Sequence, residues 1–238
     1  RLVKHRRTEV RYALKRVRKL RDGQVSKAVL RECSILANVD HPFVVRLVKT
    51  FETSSSVYML TELITGGELL MHINRRGVLS RRQAQFYVAS LVIVLEHLHD
   101  CCIVYRDLKP ENVMLDAQGF LKLVDFGLAK QLDQRAMRTY SMVGTLFYLA
   151  PEVLRGSGYG TSVDVWSLGV IFYELVIGRL PFGDGKQGES DILLSVLEDP
   201  LMFPGRYADH VGKRLIQGLL NRQPEHRLGA RGWDDVKR

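Results

Sequence analysis

The sequence is poor in cysteine, with three in 238 residues: Cys33, Cys101 and Cys102. None stands in a C-x-x-C pair or at Cys/His metal spacing, which argues against a disulfide framework and a zinc site. Long apolar runs are also missing. The longest stretches, Leu91–Leu95 and Val170–Ile177, are too short for a bilayer, and Glu174 interrupts the second. The opening Arg1–Arg7 segment lacks the apolar core of a signal peptide, so the expectation is a cytoplasmic chain. Low-complexity tracts and internal repeats are absent. With 46% hydrophobic and 26% charged residues, disorder and fibrous architectures are excluded.

Acidic residues are the scarcer sign of charge. Lys and Arg total 35 against 26 Asp and Glu, a net charge of +9. Such a balance invites a nucleic-acid or anionic-surface reading. Twelve of the cations fall between Arg1 and Arg31, but alternating strand and helix positions spread them over several faces. No aromatic platform is interleaved with them, so no nucleic-acid partner is expected.

Period-two alternation in Tyr12–Val17 predicts a strand with Ala13, Lys15 and Val17 on one face. Residues 25–37 have helical spacing around Glu32, and Val44–Val48 and Val57–Leu60 read as strands about a turn at 53–56. Beyond Gly66-Gly67, helical patterns dominate at 81–100, 162–177, 191–198 and 210–221. The segment from Val163 to Ile177 is apolar on nearly every side, the mark of a buried central helix. The fold class is therefore α+β. A small antiparallel β lobe with one key helix, residues 1–64, precedes a larger, mainly helical lobe, residues 65–238, with a hinge near 62–67.

The richest stretch runs from Tyr105 to Gly127. Val113–Leu115 and Phe120–Val124 flank Asp116-Ala117-Gln118-Gly119, which predicts an antiparallel hairpin with a four-residue turn. Asn112 enters the first strand and Asp125 leaves the second, so the hairpin returns both to one end. An amide oxygen beside a carboxylate suits Mg²⁺ shared with phosphate oxygens. Upstream, Asp107 and Lys109 lie in a loop that Pro110 bars from continuing as helix. Asp107 is a candidate to accept a hydroxyl proton and Lys109 to neutralise phosphate charge.

Tyr105-Arg106-Asp107-Leu108-Lys109-Pro110-Glu111-Asn112, Asp125-Phe126-Gly127, Ala150-Pro151-Glu152 and Tyr12-Ala13-Leu14-Lys15 occur in one order. In this the chain resembles the eukaryotic serine/threonine protein kinases from end to end. Leu2–His5, Gly66-Gly67-Glu68, the tyrosine-bearing catalytic loop and Arg227-Leu228-Gly229 resemble the AGC group, the cyclic-nucleotide-dependent kinases most of all. The resemblance implies a bilobal kinase fold that transfers the γ-phosphoryl of Mg²⁺-bound ATP to Ser/Thr hydroxyls.

Under that resemblance Lys15 holds the α/β-phosphates and pairs with Glu32. Asn112 and Asp125 bind magnesium, Asp107 is the catalytic base, and Thr145 bridges Asp107 and Lys109. Adenine meets the backbone of Glu62 and Ile64 between Ala13 and Met114, behind which Thr61 occupies the gatekeeper position. Leu36, Leu47, Tyr105 and Phe126 form a buried spine. Ser141 is the activating phosphosite, with Thr139 two residues before it, and Arg106 and Lys130 receive the phosphate. Ala28 stands where some relatives carry a histidine, which implies a thinner phosphate pocket.

Gly144-Thr145-Leu146-Phe147-Tyr148 departs from the family's Gly-Thr-Pro-Glu-Tyr, removing a contact to a distant basic substrate residue. Glu68, Glu111 and Glu174 match other carboxylates that select substrates with Arg or Lys upstream of the acceptor. Arg227 pairs with Glu152. The resemblance also implies a glycine-rich loop before Arg1, a tail after Arg238 and a regulatory cyclic-nucleotide-binding region. A kinase-like scaffold without catalysis is the alternative. It would require loss of Lys15, Asp107, Asn112 or Asp125, and all four are present.

Overall fold

The computed structural model describes residues 1–237, with the side chains of residues 74–76 set aside. The sheet of the first 62 residues has four antiparallel strands in the order β1-β2-β4-β3. These are β1 (Leu2–Lys4), β2 (Arg11–Arg18), β3 (Leu47–Glu52) and β4 (Ser56–Glu62). Pairing of β2 with β4 sets Ala13 opposite Thr61, Lys15 opposite Met59 and Val17 opposite Val57. Directly opposite residues share a face, so the row that carries Lys15 also carries buried Met59 and Val57. Arg16 and Tyr58 occupy the other face, the guanidinium 5.9 Å from the ring centre.

Helix α1 (Lys27–Asn38) begins where Ser26 caps the Val29 N–H, and it buries Val29, Glu32, Ile35 and Leu36. Val25 falls ahead of the cap. The strand expected at Val44–Val48 forms three residues later, as β3. Val44 and Val45 are apolar for a different reason: they are buried in the loop that joins α1 and β3 to the rest of the chain. There Val45 N–H donates to the Leu123 carbonyl at 3.0 Å, and Leu123 N–H to the Phe43 carbonyl at 2.7 Å.

Gly66 and Gly67 pair with the next hairpin through bonds of 2.8 Å between Gly66 N–H and Leu115 O and between Leu115 N–H and Gly67 O. A Cβ on Gly66 would lie 2.4 Å from the Asp116 carbonyl oxygen, and only glycine allows that approach. Helix α2 (Leu69–Arg76) follows, a short element the residue pattern did not announce. Helix α3 (Arg81–Asp100) starts with a capping box between Ser80 and Gln83.

Strands β5 (Ile103–Val104) and β8 (Lys130–Gln131) pair, enclosing the hairpin of β6 (Val113–Leu115) and β7 (Leu121–Leu123). The hairpin forms as expected, with β7 one residue shorter at each end. Asp116 Oδ1 accepts the N–H groups of Gln118 and Phe120, both at 2.9 Å, and so shapes the turn. The helices α4 (Pro151–Leu154), α5 (Ser162–Ile177), α6 (Glu189–Glu198), α7 (His210–Leu219) and α8 (Asp234–Lys237) complete the chain. Every residue of α5 from Val163 to Tyr173 is buried. Gly169 lets α7 approach, since a Cβ there would sit 2.9 Å from Leu219 Cβ. Among the described residues no helix is long and apolar enough to cross a membrane.

Arg227 and Glu152 lock the base of the segment before α5. The guanidinium makes two bonds of 2.7 and 2.9 Å to the carboxylate, and further bonds to the carbonyls of Ser162 and Asn221. Both side chains are buried, so neither charge has water to turn to. Arg227→Ala is expected to lower the unfolding free energy by about 3–5 kcal/mol, read from urea denaturation. A loss below about 1 kcal/mol would mean that water replaces the guanidinium.

Candidate active site

Two hydrogen-bonded clusters meet where the sheet faces the hairpin. In the first, Lys15 Nζ lies 2.7 Å from Glu32 Oε1 and 3.1 Å from Asp125 Oδ1. Glu32 is buried, whereas Lys15 and Asp125 remain about half exposed, at 46% and 52%. Burial draws the Lys15 pKa down, and the two carboxylates outweigh it, so the ammonium titrates above its ordinary value. A lysine on an apolar strand face is thus held charged, in a position open to an anion.

In the second cluster Asp107 accepts four side-chain bonds. Lys109 Nζ lies 2.9 Å from Oδ2 and 3.2 Å from Oδ1, Thr145 Oγ1 donates at 2.9 Å, and Asn112 Nδ2 donates at 2.8 Å. Lys109 Nζ also donates to Thr145 Oγ1 at 2.8 Å. These bonds fix both carboxylate oxygens of Asp107. Asn112 spends its nitrogen on Asp107, which leaves the hard oxygen end of the amide for a cation. The Val124 N–H bonds the Asn112 carbonyl at 3.0 Å and closes the hairpin end from which Asp125 projects. An oxygen pair of this kind fits a hard divalent cation whose remaining ligands are phosphate and water. Among the described residues there is no cluster of three His, Cys, Asp or Glu side chains of the sort that cages a metal by itself.

Both clusters sit on strained backbone. Arg106 has φ of 71° and Asp125 φ of 55°, left-handed values that few side chains adopt. Asp164, fully buried on α5, compensates the first. Its carboxylate accepts the N–H groups of Tyr105 and Arg106 at 2.9 and 2.8 Å and contacts His99 Nε2 at 2.9 Å. The residue pattern does not single out Asp164 or His99. The available signal was a carboxylate inside an apolar helix, which needs partners if it is buried.

Ala13 and Thr61 are cross-strand partners on the Lys15 face, with Met114 half buried across the cleft on β6. The Glu62 carboxylate accepts Lys122 Nζ and Arg46 N–H, both at 2.8 Å. Ile64 follows β4 and packs against the core. Tyr105, Phe126 and Leu36 are buried, Tyr105 and Phe126 with rings edge to face at 5.1 Å. Leu47 is only half buried, because it begins β3 at the sheet margin.

Of the three expected substrate carboxylates, Glu111 and Glu174 lie close enough to interact, and Glu68 is the residue that precedes α2. Burial raises the Glu174 pKa most. The Tyr148 hydroxyl, 2.8 Å away, pulls it down, and the charges of Glu111 and Asp184 push it up again. The Tyr148 phenol is itself driven far above its ordinary range by burial and by Glu174.

Ser141 is exposed and its Oγ accepts Arg106 Nη1 at 2.6 Å. Tyr159, another residue not singled out from sequence, donates its hydroxyl to the Ser141 carbonyl at 2.5 Å. Thr139 is 2% exposed and differs from a typical modification site. Its hydroxyl accepts Lys130 Nζ at 2.9 Å and lies 3.4 Å from Ser141 Oγ. A groove of about 1180 Å³ between α3, α5 and α7 is lined by none of these residues.

The family model for the protein kinase domain matches residues 1–234. The cGMP-dependent protein kinase of Plasmodium berghei is 47% identical over 240 residues, covering 99% of this chain and 28% of that protein. That of Toxoplasma gondii is 46% identical, covering 99% of this chain and 24% of the other. The serine/threonine-protein kinase gad8 of Schizosaccharomyces pombe is 41% identical, covering 99% and 41%. The chain thus spans about a quarter of the length of the first two relatives. Because one model follows the sheet, the hairpin and the α5 helix without a break, this chain belongs to the protein kinase domain family.

Proposed function

We propose that the chain transfers the γ-phosphoryl group of ATP to Ser or Thr hydroxyls of protein substrates. The observation that carries this reading is the Asp107–Lys109–Thr145–Asn112 network beside the Lys15–Glu32–Asp125 cluster. Lys15, kept charged by Glu32, grips the nucleotide phosphates. Mg²⁺ held by Asn112 and Asp125 supplies positive charge at the phosphate oxygens. Asp107, its oxygens oriented by Lys109, Thr145 and Asn112, aligns the acceptor hydroxyl and takes up its proton. Lys109 is placed to neutralise charge on the moving phosphoryl group. Phosphoryl transfer asks little covalent chemistry of a protein, so positioning and charge neutralisation carry most of the rate.

In the same reading adenine bonds the backbone of Glu62 and Ile64 between Ala13 and Met114, and Thr61 leaves a pocket behind it. Residues 1–64 and 65–238 act as two lobes about the cleft. Glu68, Glu111 and Glu174 favour peptides with Arg or Lys upstream of the acceptor. Phosphorylation of Ser141, received by Arg106 and Lys130, regulates the site. Two similar proteins are named cGMP-dependent protein kinases, which supports a cyclic-nucleotide-binding region as regulatory partner of a cytoplasmic enzyme.

Asp107→Asn keeps the size of the carboxylate and one of its two accepting oxygens and removes the base. It is expected to lower kcat by roughly 10²–10⁴-fold in a radiometric peptide assay with little change in Tm. Retention of more than a tenth of kcat would remove Asp107 from that role. Glu174→Gln is expected to raise KM for an arginine-bearing peptide about tenfold or more, against no change for its alanine counterpart. The raised Glu174 pKa gives the effect a pH dependence. The wild-type preference for arginine is full while Glu174 is ionised, and it falls as pH drops through that raised value. An ordinary exposed carboxylate would lose it only at lower pH, so a preference that begins to fall no earlier than that of an exposed carboxylate would contradict the assignment.

A further inference from the structure

The three residues between β4 and Gly66, namely Leu63, Ile64 and Thr65, are tied down on both sides to one hairpin. On the far side Gly66 N–H donates to the Leu115 carbonyl and Leu115 N–H to the Gly67 carbonyl, both at 2.8 Å. Backbone alone makes that tie to β6. On the near side the tie is made by side chains. Glu62 closes β4, and its Oε1 accepts Lys122 Nζ from β7 and the Arg46 N–H, both at 2.8 Å. The Glu62 N–H in turn donates to the Arg46 carbonyl at 3.0 Å. Both charges are largely withdrawn from water, with the side chains of Lys122 and Glu62 16% and 26% exposed.

This ion pair borders the slot proposed for adenine. Lys122 lies directly opposite Met114 on the hairpin, and directly opposite residues share a face. On the sheet, Tyr12 is opposite Glu62 and Ala13 is opposite Thr61. The pair therefore links β4, whose Thr61 faces Ala13, with β7, whose Lys122 faces Met114. Removal of the amine leaves Glu62 Oε1 with the Arg46 N–H, and a mostly buried carboxylate that loses its charged partner is strongly disfavoured there. The near side of the linker then loses its hold on β7, while the backbone tie at Gly66 is untouched.

We propose that Lys122 is a nucleotide-positioning residue, whose ion pair with Glu62 fixes the linker backbone against the hairpin and so sets the spacing of the adenine slot between Ala13 and Met114. Lys122 acts through Glu62 and does not itself touch the nucleotide. A slot held at its working spacing before the base enters has less to order on binding, and the saving appears as affinity. The Asp107 network is built from other residues, so the chemical step is independent of this pair. This rests on the reading of Glu62 and Ile64 as adenine contacts, and the two fail in different ways.

The experiment compares wild type with Lys122→Met, which keeps the aliphatic stem and removes the amine, and Lys122→Arg, which keeps the charge. Displacement of fluorescent N-methylanthraniloyl ATP gives Kd for ATP and for adenosine. Steady-state kinetics gives kcat, with KM for ATP and for a basic peptide. Lys122→Met is expected to raise Kd for ATP and adenosine by the same factor, about tenfold, with KM for ATP rising in step. Both kcat and the peptide KM stay within about twofold of wild type, and Lys122→Arg recovers most of the affinity. Equal affinities in wild type and Lys122→Met overturn the role, as does a loss for ATP without one for adenosine. A parallel fall in kcat overturns it too, since general loosening would then explain the loss. If Lys122→Met does not fold, Glu62→Gln, which keeps an acceptor for Arg46 and removes the charge, is expected to show the same split. If adenosine displaces no probe from the wild type, the adenine-site reading falls and the role of Lys122 falls with it.

Discussion

The buried carboxylate of Asp164 is the contact on which the arrangement of the catalytic loop depends. Its two oxygens hold consecutive backbone N–H groups, those of Tyr105 and Arg106, at 2.9 and 2.8 Å. Arg106 has to take a left-handed conformation, with φ of 71°, for Asp107 and its own guanidinium to diverge. That conformation costs of the order of 1–3 kcal/mol and persists only where the surroundings over-determine it. The loop itself supplies little of the compensation. It comes from α5, whose apolar faces are buried and whose position is therefore set by packing. The most hydrophobic element of the chain thus aims its most polar loop.

From that fixed point the charges divide into two kinds. Lys15 and Lys109 have close carboxylate partners at the cleft. Arg227 and Glu152 satisfy one another in the interior and contribute rigidity. The guanidinium of Arg106 instead meets a carbonyl and two hydroxyls, acceptors that carry no full negative charge. A buried or half-buried cation with neutral acceptors is poised for an anion, and one with a carboxylate is poised for geometry. Partner type, more than cation count, distinguishes the corner at Ser141 from the cleft at Lys15 and Asp107.

Much of this was legible in the residue order because the strongest constraints are local. The hairpin between Asn112 and Asp125 has a turn written into Asp116-Ala117-Gln118-Gly119, and the return of both ends to one place follows from antiparallel pairing. Lys15 on an apolar face needed a partner, and Glu32 sits on the buried side of α1 as helical spacing required. What escaped was set by distant packing. Val44 and Val45 have strand-like side chains but serve the lobe junction, so β3 begins at Leu47. Asp164 and His99 are 65 residues apart and meet only when α3 packs on α5.

The positive balance of the chain can be placed by the same reasoning. A net charge of +9 first suggests an acidic partner. Around the proposed peptide path the local charge has the opposite sign: burial raises the Glu174 pKa, and the charge of nearby Glu111 adds to the rise. Such crowding is unfavourable by itself, since two carboxylates facing a low-dielectric wall repel one another and one tends to protonate. It is relieved when an arginine or lysine arrives between them, and the relief is greatest for the cation that touches both. Under the proposed function, this repulsion between like charges becomes discrimination for a basic peptide.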